Sequence, residues 1–403
     1  MSFSVSTALS EATGMLHGTT LNQIPNPTLC VNRAARQVML DIDPQETKMI
    51  QAFSTPVFPI VFDYPLPSDV KGNKIIDVYP QIGRHPDNIV TSTYNQVFDR
   101  YKSLLLPSTF SIISNQGTKR LRISYLNKTS GNIINTVGTI LGNGTWAIGG
   151  VATTLVQNMM TLINGSNSLQ FNLGIGSNTL TNSTMTAVDL TTSLNQTGII
   201  FKLYLPSIVG LTNISFRFGS DASNYYQSPT LTSQISTLPF VADWNDVGAL
   251  WANCTQLGTP VLTNIKYVQI TFTASAPITA IQVAQIWSSL GVMMDLEYYS
   301  KYLFQDATTG AWKETTTATT DTINLDTESY NIFLYQLALQ LVQQALGSNA
   351  EYDTNLMTNA YQGAVVRYKK MYKSEISHPS QAYYRPTFKG YNNSVISTTS
   401  PHL

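Results

Sequence analysis

Four histidines, two cysteines and a thin scatter of carboxylates are the residues of this 403-residue chain that could do chemistry. His17, His85, His378 and His402 lie far apart, and none pairs with another His or Cys at a metal-binding spacing. Cys30 and Cys254 are too widely separated in sequence to suggest a disulfide framework and read as free thiols. Gly174-Ile175-Gly176-Ser177-Asn178 begins like a phosphate-binding loop, but it has no following Lys and opens no helix. No Gly-x-Ser-x-Gly nucleophile elbow occurs. Among the acidic residues of the middle region, Asp189, Asp221, Asp243 and Asp246, the first two read as turn formers, with a structural calcium as the alternative. A carboxylate pair for glycoside hydrolysis needs a spatial separation that sequence does not supply. The expectation is a chain without catalytic residues, metal or cofactor, and so not an enzyme.

Two residue groups invite binding. Tyr225, Tyr226, Trp244 and Trp251 could stack on the apolar faces of sugars, although aromatics at this density in a sandwich usually belong to the core or to a subunit contact. Arg367, Lys369, Lys370 and Lys373 end the last helical stretch, where cations favour the helix C-terminus. Contact with an acidic neighbouring subunit, or with DNA, is the sharper alternative for this group.

The elements that must carry these residues emerge from periodicity. Thr28–Leu40 places Val31, Ala34, Ala35, Val38 and Met39 at helical spacing. Asp43, Pro44 and Glu46 then read as the start of a second helix running to about Phe53, with Asp43 as its cap. From Pro56 to Pro67 apolar residues alternate with prolines, which argues for extended edges. A helix is expected around Tyr94–Leu105, and a hairpin from Thr109–Ile113 to Arg120–Tyr125. Between Thr129 and Val188 there is no charged residue, and Gly, Asn, Ser and Thr break the run into short strands. Alternation then marks Gly198–Leu205, Ile214–Phe218, Tyr267–Thr273 and Gln282–Leu290. Short strands separated by turns make a β-sandwich over roughly 129–296. The chain ends on two helical patterns. The first is capped at Asp326 or Thr327 and carries Tyr330, Leu334, Leu337, Ala338, Leu341, Val342 and Ala345; the second carries Tyr352, Leu356, Met357, Ala360, Tyr361, Ala364, Val365, Tyr368 and Tyr372. Their short connection makes them antiparallel neighbours.

Charged residues amount to 11% and the formal net charge is zero, against a usual charged fraction of about 25%. Little electrostatic repulsion keeps copies apart, which favours assembly, and no broad basic patch points to nucleic acid. Met1–Gly18 lacks the basic and apolar regions of a signal peptide. The charge-free stretch Val137–Ile163 is too interrupted by Gly, Asn and Thr to span a membrane as a helix.

Three segments resemble virion proteins of tailed bacteriophages. FKLYLPSIVGLTNISFRFGSDASNYY (Phe201–Tyr226), with the later run Asp243–Thr273, looks like a jelly-roll module similar to galactose-binding-like and carbohydrate-binding sandwiches. The helical pair over Asn324–Glu375 looks like the closing helices of head-to-tail adaptors, and VNRAARQVMLDIDPQETK (Val31–Lys48) is similar to their opening helices. The resemblance implies an α+β chain. An arm (1–27) and a helical and mixed segment (28–128) precede a jelly-roll β-sandwich insert (129–296). A C-terminal helical segment (297–378) and a second arm (379–403) complete the chain, with the terminal helices packed into one small domain. It further implies a structural neck protein in the virion, made in the bacterial host cytoplasm. Such a protein would repeat as a ring, twelve-fold by family, against portal and other neck or tail proteins. There would be no membrane partner, and DNA contact in the channel stays open. The alternative is a head decoration, collar, tail or baseplate protein whose sandwich binds host glycans.

Overall fold

The computed structural model describes residues 2–17, 19–81, 107–115, 118–125, 131–141, 143–163, 166–193, 195–345 and 350–372. The expected helix at Tyr94–Leu105, Lys373 and the arm over 379–403 fall outside these residues. The chain is mostly β-structure with four α-helices among the described residues. It divides into two compact units, one of residues 1–51, 67–78 and 296–403, the other of 52–66 and 79–295.

The first unit brings helices of the N-terminal and C-terminal parts of the chain together. The helices Val5–Gly14, Pro27–Asp41, Thr327–Gln344 and Ala350–Met371 share one apolar core. Pro27–Asp41 buries Val31, Ala34, Ala35 and Val38, and its N-terminus is capped by Asn26, whose side chain accepts from the Leu29 N–H. Thr327–Gln344 is capped by Asp326, which accepts from the Ser329 N–H at 2.7 Å.

Residues 2–17 and 19–27 depart from the expected arm. Ser2–Ser4 pairs antiparallel with Thr322–Asn324, and the helix after it buries Val5, Ala8, Leu9 and Ala12 against the C-terminal helices. Phe3 stacks on Tyr330 with ring centroids 3.7 Å apart. Small residues at helical spacing make this segment look featureless in sequence, but they permit close packing.

The helix expected over 43–53 is also corrected. Only the short 3₁₀ turn Gln45–Thr47 forms, and Lys48–Ala52 continues as a strand. Asp43 does not cap a helix, because its carboxylate takes Lys71 at 2.7 Å and Lys74 at 3.1 Å. Pro44 sits at φ −61°, ψ 134°, extended rather than helical. A third correction concerns part of Ala350–Met371. Of the expected stripe, Met357, Tyr361, Ala364, Val365 and Tyr368 are buried, but Tyr352 and Leu356 are exposed, and Asp353 is buried in the first turns instead. Asp353 faces inward because it accepts from the His17 N–H (2.9 Å) and meets the His17 ring Nδ1 at 2.7 Å.

The second unit holds a sandwich of two six-stranded antiparallel sheets and a smaller three-stranded sheet in which Thr118–Tyr125 pairs with Asp63–Pro65 and, as the expected hairpin, with Pro107–Asn115. The first sheet orders Trp244–Leu250, Thr197–Tyr204, Ile278–Leu290, Ser166–Leu173 and Thr153–Ile163, with Gly131–Asn135 also on Ile278–Leu290. The second orders Thr255–Leu257, Tyr225–Gln227, Leu211–Gly219, Tyr267–Ala274, Gly176–Asn182 and Trp146–Gly150. Alternate residues of both sheets meet in one core, where Phe171 contacts Phe272 (5.6 Å between centroids) and Phe201 contacts Phe216 (5.9 Å). The tight edge at Gly150 requires glycine: φ is +68°, and a Cβ there would lie 2.1 Å from the Ser177 carbonyl oxygen.

The two outer faces of the sandwich differ. Thr197–Tyr204 of the first sheet is buried on both sides except at Tyr204. Ile199, Phe201 and Leu203 point into the core, while the chain's own 52–66 segment covers the other side. There Gly198 packs closely on Phe58, and the Lys202 ammonium donates to the Ile60 carbonyl at 2.9 Å. Leu211–Gly219 of the second sheet alternates instead, with Ile214, Phe216 and Phe218 buried and Asn213, Ser215 and Arg217 partly exposed on the outside.

Candidate functional site

The four aromatics singled out from sequence do not share a surface. Trp244 belongs to the first sheet and leans on Tyr204, its cross-strand partner, at 5.6 Å. Tyr226 points inward: it pairs with Phe218 in register, stacks on it at 5.4 Å and meets Trp251 at 4.8 Å. Tyr226 and Trp251 therefore pack against the sandwich core. Tyr225, one residue earlier on a two-residue period, points to the outer face.

Around Tyr225 the second sheet assembles groups from separate strands. Arg217 lies over the Tyr225 ring with its guanidinium carbon 4.7 Å from the centroid, and its Nε donates to Gln227 Oε1 at 2.5 Å. Strand register sets Gln227 opposite Arg217, Arg217 opposite Gln269, and Gln269 opposite Thr181. Thr255 pairs with Gln227 on the far side. Gln269 Nε2 donates to Thr181 Oγ1 at 3.1 Å. Tyr267 sits next to this row, and burial pushes its phenol upward, with the Arg217 charge opposing. Thr179, Thr271 and Ser215 form the next row by the same register. Arg217 is the one charged side chain in these two rows.

Sequence reasoning does not reach Arg217, Gln227, Gln269 and Thr181. Alternation along Leu211–Gly219 does place Arg217 outward, but which residues of other strands stand beside it depends on pairing that local sequence does not encode.

The remaining candidates are structural in their contacts. Asp189 accepts from the Thr191 hydroxyl (2.6 Å) and N–H (2.8 Å), and these bonds hold its carboxyl below the usual range. Asp221 accepts from the Asn224 side chain and from the Ser223 and Asn224 N–H groups, with the same effect. Both are turn geometries. Asp246 is half of an ion pair with Lys202. Arg367, Lys369 and Lys370 lie exposed on the last helix, with the two lysines in its final turn, and make no ion pair among the described residues. Cys30 is buried and Cys254 half-buried, both as free thiols; burial pushes the Cys254 thiol up to about 12. Among the described residues, no cluster of three His, Cys, Asp or Glu side chains could hold a metal ion. No helix among them is long and apolar enough to cross a membrane.

No protein family and no curated protein sequence matches the chain. Solved structures similar to it include a family 11 carbohydrate-binding module from Clostridium thermocellum in complex with a β-1,3-1,4-mixed-linked tetrasaccharide. That match is 12% identical, covers 40% of this chain and 96% of the other, and has a TM-score of 0.28. A non-crystalline-cellulose-specific module of family 28 is 20% identical over 38% of this chain and 92% of its own length, with a TM-score of 0.27. An agarase matches at 7% identity over 40% of this chain and 25% of its own, also with a TM-score of 0.27.

Proposed function

We propose that the chain is a non-enzymatic structural protein of a tailed-bacteriophage particle, a head-to-tail adaptor that repeats as a homo-oligomeric ring between portal and tail. The observation that carries this reading is the joining of the N-terminal and C-terminal helices. Helices from both termini share one core, and Ser2–Ser4 pairs with Thr322–Asn324. The sandwich, in this reading a jelly roll, is then an insertion into a helical domain, the order of elements that the resemblance to adaptors implies. The lack of net charge favours the close repetition of copies that a ring demands. The exposed Arg367, Lys369 and Lys370 supply a cationic helix end for an acidic neighbour.

Negative-stain microscopy of virions decorated with an antibody against the chain tests the assignment. Label at the neck supports it; label confined to the capsid surface, tail tube or baseplate overturns it. The second reading, a decoration, collar, tail or baseplate protein that meets host glycans, is favoured by one observation: the second sheet's outer row from Thr181 to Thr255 and the next, of Thr179, Thr271 and Ser215, are polar and, apart from Arg217, uncharged.

A further inference from the structure

We infer that the outer face of the second sheet binds a neutral oligosaccharide along the row Thr181, Gln269, Arg217, Gln227 and Thr255, with Tyr225 beside it as an aromatic wall. The inference gives the glycan reading a defined site, and that site is not the aromatic group expected from sequence.

Three features support it. The first is that the chain covers the outer side of Thr197–Tyr204 in the first sheet with its own 52–66 segment, while Arg217, Gln269 and Tyr225 keep partial exposure. The second is that the row is already positioned. Its side chains come from five neighbouring strands in register and span about 19 Å at the usual strand spacing. Arg217 is clamped between Gln227 and the Tyr225 ring, and Gln269 is tied to Thr181. Side chains held before binding lose little freedom when a ligand arrives.

The third feature is the chemistry that remains to be satisfied. The Arg217 Nε is used by Gln227, so its two Nη nitrogens are the donors left over, and the Gln269 amide oxygen is an acceptor once its nitrogen serves Thr181. Thr255, Thr271 and Ser215 add hydroxyls that both donate and accept. Alternating donors and acceptors beside a flat ring match a ligand that offers hydroxyls at its rim and C–H groups on its faces. A single cation is a weak attractor for a phosphate or sulfate polymer, whose binding grows with the number of charges neutralised. The absence of carboxylates from these rows removes the means of selecting a cationic ligand.

The test uses the full chain on an array of neutral gluco-, galacto-, manno- and N-acetylglucosamine oligosaccharides, with calorimetry on the best binder. Arg217→Ala and Gln269→Ala should each weaken binding by about tenfold or more, the equivalent of at least ~1.4 kcal/mol. Arg217→Lys should not restore it, because an ammonium lacks the planar fork that holds Gln227 and the ring together. Trp244→Ala, in the other sheet, should leave affinity unchanged. Melting temperature and near-UV circular dichroism verify each fold, and Gln269→Ala carries the test if an Arg217 variant does not fold. The inference is overturned if the native chain retains no neutral glycan, if the variants bind as it does, or if binding follows polymer charge and vanishes in salt. Glycan binding by a protein labelled away from the neck would overturn the adaptor reading alone, and neck labelling without glycan binding would overturn this one alone.

Discussion

Lys202 and Asp246 form an ion pair within the sandwich unit, with side chains 9% and 14% exposed. Breaking such a pair strands a charge, whereas replacing both partners with apolar residues removes the desolvation cost along with the attraction. Asp246→Ala should therefore destabilise the chain by about 3–5 kcal/mol in denaturant melts, and Lys202→Met/Asp246→Leu should cost clearly less. A double variant worse than the single would refute the argument. Asp77 offers a pH test. Burial raises its carboxyl to about 6 from 3.8, the neighbouring Glu297 carboxylate adds to the rise, and the Val78 N–H opposes it. The folded state thus holds this proton more tightly than the unfolded state does. The stability it contributes is complete below about pH 3.8 and is lost as pH climbs through about 6. Asp77→Asn keeps an acceptor for Val78 and should gain about 1–2 kcal/mol at pH 7.5, with the gain shrinking toward pH 4. An equal effect at both pH values would show that charge is not the cause.

At the scale of elements, the helical patterns of 28–40 and 326–345 are plain in the sequence because each buries one stripe of its own residues. The Asp326 cap is equally readable, and Asp326→Ala should lower stability by about 1 kcal/mol in thermal melts with little change in the native helix signal. The segment around Asp43 teaches the opposite lesson. Asp, Pro and Glu at 43, 44 and 46 have the spacing of a helix start, yet Lys71 and Lys74, far along the chain, capture the cap carboxylate. A local motif loses when a distant charge satisfies its key group better. The first helix escapes sequence reading for a related reason: Val5, Ala8, Leu9 and Ala12 form a narrow stripe whose partners come from the opposite end of the chain.

For the whole molecule, the ring reading predicts that the purified chain self-associates. Light scattering across a concentration series should show a closed oligomer, twelve copies by family resemblance, with images of rings in negative stain. A monomer at every concentration, alone and with portal protein, would count against it.

Local patterns alone determined the helices over 28–40 and 326–345 on either side of a turn-rich β-region, and Asp189 and Asp221 as turn formers. They also isolated Tyr225, Tyr226, Trp244 and Trp251 as the aromatics to question, since large flat side chains stand out in a chain of Ser, Thr and Asn. The tertiary structure decided which of them matter. A strand's two-residue period sends Tyr225 outward and Tyr226 inward, and sheet order sets Trp244 on the other side of the sandwich. It also chose the companions of Tyr225. Arg217, Gln227, Gln269 and Thr181 are ordinary residues in four separate strands, and cross-strand register is what puts them in one line. Register is settled by the joint burial of both inner faces, a condition on all the strands at once that no single segment of sequence expresses.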